Sequence, residues 1–206
     1  MTLAAFIGIA LLHLAAAISP GPSFVVSVRM AAAEGLRPAI GLAIGLGIGA
    51  FALALLALLG LALLFEIAPA LLVVFKIVGA CFLGYIAWQT WRHAKDPLPS
   101  DETTAKSAPR SLSSAIKLGT VTQLANPKPI LFFGAVFVGL VPPDTPTVVL
   151  AALLAVILLQ ESLWYILVAR LFSLGRTRVA YGRFKAQVDR AFGGLIAALA
   201  AKIALT

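Results

Sequence analysis

The chain carries Ser19-Pro20-Gly21-Pro22 near the middle of one long apolar run, residues 3–33, and Asn126-Pro127-Lys128-Pro129 near the middle of another, residues 112–141. Each run is longer than the roughly 20 residues that a membrane span requires. Proline has no backbone N–H and clashes with the preceding turn, at a cost of about 3 kcal/mol inside a helix. Two prolines at positions i and i+2 therefore predict a broken helix in each run.

The composition excludes a water-soluble domain. Of the 206 residues, 61% are hydrophobic and 12% are charged, whereas soluble domains carry roughly 25% charged residues. Lipid must therefore cover most of the surface, and little chain is left for a separate catalytic domain. The pattern predicts an all-α membrane protein with six transmembrane helices, near residues 3–33, 38–64, 68–91, 112–141, 146–170 and 187–205.

The basic residues predict the topology. Thirteen of the sixteen Lys and Arg residues belong to the connections between helices 1–2, 3–4 and 5–6. By the positive-inside rule these connections are cytoplasmic, so both termini face outward. Charge placed in this way beside apolar runs excludes a nucleic-acid-binding face and predicts contact with lipid headgroups in a bacterial inner membrane. The first helix follows no positively charged N-terminal region, so we expect it to be retained rather than cleaved as a signal peptide.

The hydrophilic segment 92–111 divides the chain into two halves, 1–91 and 112–206, of three helices each. An odd number of helices per half means that the halves enter the membrane from opposite sides, as two inverted repeats do. Interrupted helices at matching positions of two such repeats indicate a transport site near the bilayer midplane. We expect helix N-termini after Pro22 and Pro129 to offer N–H groups to a substrate carboxylate. Kinks that only help packing are the alternative.

The two proline motifs resemble the SPGP and NPK signatures of the LysE/RhtB family of amino-acid exporters. Residues Lys76-Ile77-Val78-Gly79-Ala80-Cys81-Phe82-Leu83-Gly84-Tyr85 are similar to a third segment of that family, and the likeness covers essentially the whole chain. The resemblance implies export of amino acids or derivatives, such as lysine, homoserine or threonine, against a proton gradient. Many members have Asp or Asn where this chain has Ser23.

We therefore predict a secondary active exporter whose substrate site combines both motifs with neighbouring polar groups. Lys128 would supply charge, Ser19 and Asn126 would supply hydrogen bonds, and Gln123 lies three residues before Asn126 on the same helical face. The predicted substrate-binding residues are Ser19, Pro20, Gly21, Pro22, Ser23, Gln123, Asn126, Pro127, Lys128 and Pro129.

Further polar residues within the apolar runs are candidates for proton coupling or gating. Glu161 should be neutral or paired, because a lone carboxylate in lipid is expensive, and Lys128 and Lys76 are its candidate partners. It is either a proton carrier or half of a structural ion pair. His13 is either a proton relay or a hydrogen-bonded packing residue. Lys76 and Arg190 are candidate gate charges, although Arg190 can also reach the headgroups.

Other classes of protein fit the sequence less well. A metal-ion exporter of the same superfamily would need several buried carboxylates or thiols. A membrane-embedded enzyme using Glu161 and His13 would need a recognisable nucleophile or metal set, and an accessory or scaffolding protein would not explain two paired helix breaks. We expect no cofactor and no metal. Small residues at Gly41, Gly45 and Gly49 predict close helix packing, within the bundle or at a homodimer contact.

Overall fold

The computed structural model describes residues 1–19, 21–67, 69–95 and 109–205, and these residues form eight α-helices with no strand among them. The side chains of some helical residues, including Lys76, also lie outside the description. The helices are α1 (Leu3–Ile18), α2 (Pro22–Ala33), α3 (Leu36–Ile67), α4 (Pro69–Arg92), α5 (Leu112–Leu124), α6 (Pro127–Leu140), α7 (Thr147–Phe172) and α8 (Gly175–Leu205).

The two predicted helix breaks are confirmed. The first apolar run is divided into α1 and α2, which are bent by 55° relative to each other, and the fourth is divided into α5 and α6. Pro22 and Pro127 each occupy the first position of the helix after the break, where a missing N–H costs nothing and the fixed φ favours helix initiation. Pro20, which was also predicted to break the first helix, lies outside the described residues.

The remaining runs are continuous helices, and the charged connection before the last one is helical as well. The sequence pattern placed that connection in a loop and began the sixth helix near residue 187, but α8 begins at Gly175. Part of the reason is a pair on one face of α8. Lys185 Nζ lies 2.9 Å from Asp189 Oδ2, four residues later, and pairs at this spacing stabilise a helix.

Within the described residues, two helices are long and apolar enough to cross a membrane, Leu36–Gly60 of α3 and Thr147–Phe172 of α7, and the bent pair α1–α2 qualifies as a third. Large apolar side chains are exposed along these helices, for example Leu56, Val148 and Leu163, as expected for lipid-facing surfaces. The six-helix arrangement, the two inverted repeats and the division at 92–111 stay predictions.

The glycine stripe of α3 packs within the chain. Gly41, Gly45 and Gly49 face α5, and a Cβ added at Gly45 would lie 2.9 Å from the backbone N of Thr120. The Thr120 hydroxyl donates to the carbonyl oxygen of Gly45 at 3.1 Å. The stripe therefore serves the α3–α5 contact, as the first of its two interpretations predicted, and it lends no support to a homodimer.

Two apolar clusters lie on either side of a polar layer. One is built from residues of α1, α3, α4, α6, α7 and α8 around Phe133, Phe137 and Leu83. The other is built from α2, α3, α5 and α7 around Phe24 and Leu42. The helix breaks lie between them, and buried polar side chains gather there: His13, Ser19, Ser23, Gln123, Asn126 and Glu161.

Polar contacts join two pairs of helix ends at the connections that are predicted to be cytoplasmic. Arg110, just before α5, donates through its backbone N to Glu34 Oε2 at 2.9 Å, and its Nε lies 3.1 Å from Glu34 Oε1, just after α2. Lys185 near the start of α8 donates to the carbonyl oxygens of His93 and Ala94 after α4, at 3.0 and 3.3 Å. The end of α2 therefore lies beside the start of α5, and the end of α4 lies beside Lys185 of α8.

Candidate functional site

A cavity lies where the two broken helices meet. It contains about 380 Å³ of space free of protein atoms, part of it open to solvent, and α1, α2, α5, α6 and α7 all contribute to its wall. Its lining combines a polar set with small and aromatic residues: His13, Ala16, Ala17, Ser19, Gly21, Ser23, Gln123, Asn126, Lys128, Pro129, Phe132, Phe133, Glu161 and Tyr165. Most of the predicted site residues are therefore brought together.

The start of α2 forms one edge of this cavity. Gly21 precedes it in extended backbone conformation, with φ −163° and ψ −172°, and no side chain caps the helix. The first turn of a helix concentrates N–H groups without intrahelical partners and carries the positive end of the helix dipole. The binding of an anion at this end of α2 stays a prediction.

The start of α6 differs from the prediction. The helix begins at Pro127, not after Pro129, and the side chain of Asn126 caps it by accepting from Lys128 N at 3.1 Å. Since Pro127 and Pro129 have no N–H, the first three residues of α6 offer no open donor. The anion-binding contribution of α6 is thus reduced to its dipole and the side chain of Lys128.

Lys128 joins the two breaks. Its ammonium donates to the carbonyl oxygen of Ser19 at 2.6 Å, and a Cβ added at Gly21 would lie 3.7 Å from Lys128 Nζ. Ser19 ends α1, where the helix break leaves carbonyls without an intrahelical donor and the dipole is negative. A cation at this position satisfies one of those carbonyls, as irregular backbone at membrane depth requires.

Glu161 has a different partner from those predicted. Its Oε2 lies 3.3 Å from Nε2 of His13, and its Oε1 accepts from Gln123 Nε2 at 2.6 Å. Lys128 binds the Ser19 carbonyl instead, and the side chain of Lys76 lies outside the description. Glu161 and His13 are each 3% exposed, so this acid–base pair is enclosed within the protein.

His13 makes two further contacts. Its Nδ1 lies 3.1 Å from Gln160 Oε1, and its ring stacks on Phe133 with centroids 5.6 Å apart. An amide oxygen only accepts, so this contact places a proton on Nδ1 and leaves Nε2 facing Glu161. His13 is thus packed and hydrogen-bonded, and it also lines the cavity beside a carboxylate.

A chain of hydrogen bonds runs from the α5–α6 break to Glu161. Asn126 Nδ2 donates to Ser23 Oγ at 3.0 Å, and Ser23 Oγ donates to Gln123 Oε1 at 2.6 Å. Gln123 Nε2 then donates to Glu161. Ser23 and Gln123 therefore connect the two halves of the chain at the level of the breaks.

Some predicted residues do not line the cavity. Arg190 has an exposed side chain, and its carbonyl oxygen accepts from the indole N–H of Trp91 at 2.7 Å. It is therefore not a charge at the cavity. Pro22 and Pro127 shape the site from the first positions of α2 and α6 without appearing in its wall.

Sequence reasoning also missed members of the site. Tyr165 follows Glu161 by four residues, and Phe132 and Phe133 follow Lys128 by four and five, so helical spacing could have found them. It also missed Asp189, a second buried carboxylate, which is 2% exposed and is paired with Lys185 outside the cavity lining.

Comparison with known proteins gives a consistent result. Residues 14–206 match the model of the LysE type translocator family. The threonine efflux protein of Escherichia coli K12 is 32% identical over 193 residues, which cover 93% of each chain, and that of Salmonella typhi is 30% identical over 195 residues, also 93% of each. An uncharacterized membrane protein of Escherichia coli K12, YahN, is 30% identical over 185 residues, 90% of this chain and 82% of its own.

No solved structure matches the chain significantly. The family match spans nearly all of the chain, including both helix breaks and every residue that lines the cavity except His13. The chain belongs to the LysE type translocator family.

Proposed function

We propose that this protein exports a small zwitterionic amino acid, or a close derivative, across the bacterial inner membrane in exchange for protons. The observation that carries the proposal is the cavity between the two broken helices, which contains both an ammonium and a carboxylate. The names of the threonine efflux relatives support the substrate class. The residues that line the cavity are small and polar on α1 and aromatic on α6, which suits a substrate with a short side chain.

The charges of the cavity complement those of a zwitterion. In this proposal the substrate carboxylate binds Lys128 Nζ and the start of α2, which adjoin through Gly21. The substrate ammonium donates to Ser23 Oγ, and the charge of Glu161 lies behind it. Carboxylate and ammonium are adjacent in an amino acid, so both contacts fit at a single break.

Protons would be carried by the Glu161–His13 pair. With Nδ1 protonated towards Gln160, the pair holds one further proton between Nε2 and the carboxylate, and it becomes negatively charged when that proton leaves. In export, a proton from the outer side would bind the pair, and substrate binding from the cytoplasm would release it inward. The positive substrate ammonium favours this release because it stabilises the ionised carboxylate.

The packing of the helices supports alternating access. In the predicted repeats α3 corresponds to α7 and α4 to α8, and each of these pairs is in contact, which a two-fold relation between the halves allows. The two apolar clusters would then open and close on opposite sides of the fixed polar layer. With the basic connections cytoplasmic and both termini outside, the cluster containing α2 and α5 faces the cytoplasm.

Counterflow in proteoliposomes tests this proposal. Vesicles loaded with unlabelled solute take up the same labelled solute only if the protein exchanges it, without any driving force. We expect exchange of threonine or homoserine, weaker exchange of lysine because the cavity offers no second ionised carboxylate for its side chain, and none of threoninamide, which lacks the carboxylate. Exchange of threoninamide at the rate of threonine, or of none of the amino acids, would overturn the proposal.

A further inference from the structure

Gln123 occupies a bridging position in the polar layer. Its Oε1 accepts from Ser23, at the edge of the cavity on the first half of the chain, and its Nε2 donates to Glu161 on the second half, both at 2.6 Å. The side chain is 3% exposed. A single amide thus contacts the proposed substrate site with one atom and the proposed proton site with the other.

The hydrogen bonds through Gln123 all point the same way. Asn126 Oδ1 accepts the backbone N–H of Lys128, which fixes the Asn126 amide nitrogen towards Ser23. The Ser23 hydroxyl has one proton and gives it to Gln123, and the Gln123 amide donates to the carboxylate. Each donor polarises the next one, so the whole chain stabilises the ionised form of Glu161.

The backbone holds Gln123 at this position. Its Cβ packs on α3 at Gly49, where an added Cβ would lie 2.6 Å from Gln123 Cβ and 3.0 Å from the carbonyl oxygen of Thr120. Such a close approach leaves the start of the side chain little room to move. Gly49 therefore has a role beyond helix packing, because it sets the distance between Gln123 and its two partners.

We infer that Gln123 is a positioning residue that couples substrate binding at the helix break to proton release from the Glu161–His13 pair. The inference rests on the proposed function. A substrate ammonium that donates to Ser23 Oγ polarises the hydroxyl and strengthens its hydrogen bond to Gln123. The polarised Gln123 amide then donates more strongly to Glu161, and the ionised carboxylate gains stability. The proton between Glu161 and His13 then leaves to water. Because coupling is reciprocal, protonation of the pair weakens substrate binding to the same degree.

Few other charges act on this pair. Among the described side chains, Lys128 of α6 interacts electrostatically with Glu161 and with Asp189 of α8, and Tyr165 of α7 interacts electrostatically with Glu161 and forms a hydrogen bond with Ser23. Arg29 of α2, Arg37 of α3 and Lys117 of α5 have exposed side chains. Among these described groups, Gln123 is the side chain with hydrogen bonds to both Ser23 and Glu161, whereas Lys128 and Tyr165 act on Glu161 through space.

The test compares two rates in the same proteoliposomes, net export driven by a pH gradient and exchange without one. Loss of a merely structural residue lowers both rates in proportion. If Gln123 couples the sites, Gln123→Met lowers the ratio of driven export to exchange by about tenfold, within the usual range of coupling between sites. Gly49→Ala, which keeps the amide but displaces it, lowers the ratio in the same direction.

Thr120→Val is the matched control, because it removes a hydrogen bond to Gly45 one turn earlier on α5 and should leave the ratio at the wild-type value. An unchanged ratio in Gln123→Met, or the same fall in Thr120→Val, overturns the inference. Proton release on adding threonine to wild-type protein in unbuffered detergent solution tests it independently of variant folding, and no release overturns it. A wild type that responds to the gradient, together with an unchanged ratio in Gln123→Met, overturns the inference alone. A wild type that exchanges threonine but does not respond to the gradient also overturns the proton exchange of the proposed function. A wild type without exchange overturns the proposed function.

Discussion

Removing the cavity ammonium by Lys128→Met should weaken both substrate binding and the fold. Methionine keeps most of the apolar stem but removes the donor to the Ser19 carbonyl and the positive charge facing the proposed substrate carboxylate. Truncating one partner of a buried charge pair costs about 2–5 kcal/mol. Taking the lower end, we expect the half-saturating substrate concentration to rise about 30-fold, since about 1.4 kcal/mol corresponds to a factor of ten.

The assay is the half-saturating concentration in counterflow, with the thermal unfolding midpoint in detergent measured alongside. The loss of the Ser19 hydrogen bond should lower stability by about 1–3 kcal/mol, because the carbonyl is left without its donor.

Lys185→Met is the matched control for this variant. Lys185 is also a buried lysine that donates to carbonyls at a helix end, but it lies outside the cavity lining. The Lys185→Met variant should be less stable than wild type and should keep the wild-type half-saturating substrate concentration. Equal half-saturation in Lys128→Met and wild type, with both variants destabilised alike, would refute the assignment of Lys128 to the substrate.

Two further predictions concern the proton site and the packing of α3. Glu161→Gln should abolish export driven by a pH gradient. The unfolding midpoint should stay near that of wild type, because a neutral amide can still accept from Gln123 and contact His13. Unchanged export under the gradient would exclude Glu161 as the proton carrier. Gly45→Ala should lower the free energy of unfolding by about 1–3 kcal/mol through overpacking, since the new Cβ would lie 2.9 Å from backbone atoms of α5. Gly60→Ala on the same helix meets nothing within 4 Å and should gain up to about 1 kcal/mol. Equal unfolding midpoints for these two variants would contradict the close contact between α3 and α5 at Gly45.

The helix breaks could be predicted from the sequence because their causes are local. Pro22 and Pro127 act on their own helix turns, and Asn126 caps the helix that follows it. The membrane class follows from composition alone. Neither conclusion depends on which helices are neighbours.

The partner of Glu161 could not be predicted in this way. The sequence indicates that a buried carboxylate needs a partner, but His13 is 148 positions away and meets it only because α1 packs against α7. Lys128 is a predicted partner because of its charge, but its ammonium donates instead to the carbonyl oxygen of Ser19, which the α1 break leaves without an intrahelical donor. Likewise, the basic run before residue 187 is typical of a loop, and the carbonyl partners of Lys185 are supplied by His93 and Ala94 after α4, far away in the sequence.

An experimental structure with bound substrate tests the central claim most directly. The account predicts an amino acid between the two proline breaks, with its carboxylate on Lys128 and the first turn of α2 and its ammonium on Ser23. Substrate bound elsewhere, or helices that run unbroken through residues 19–22 and 125–129, would contradict it.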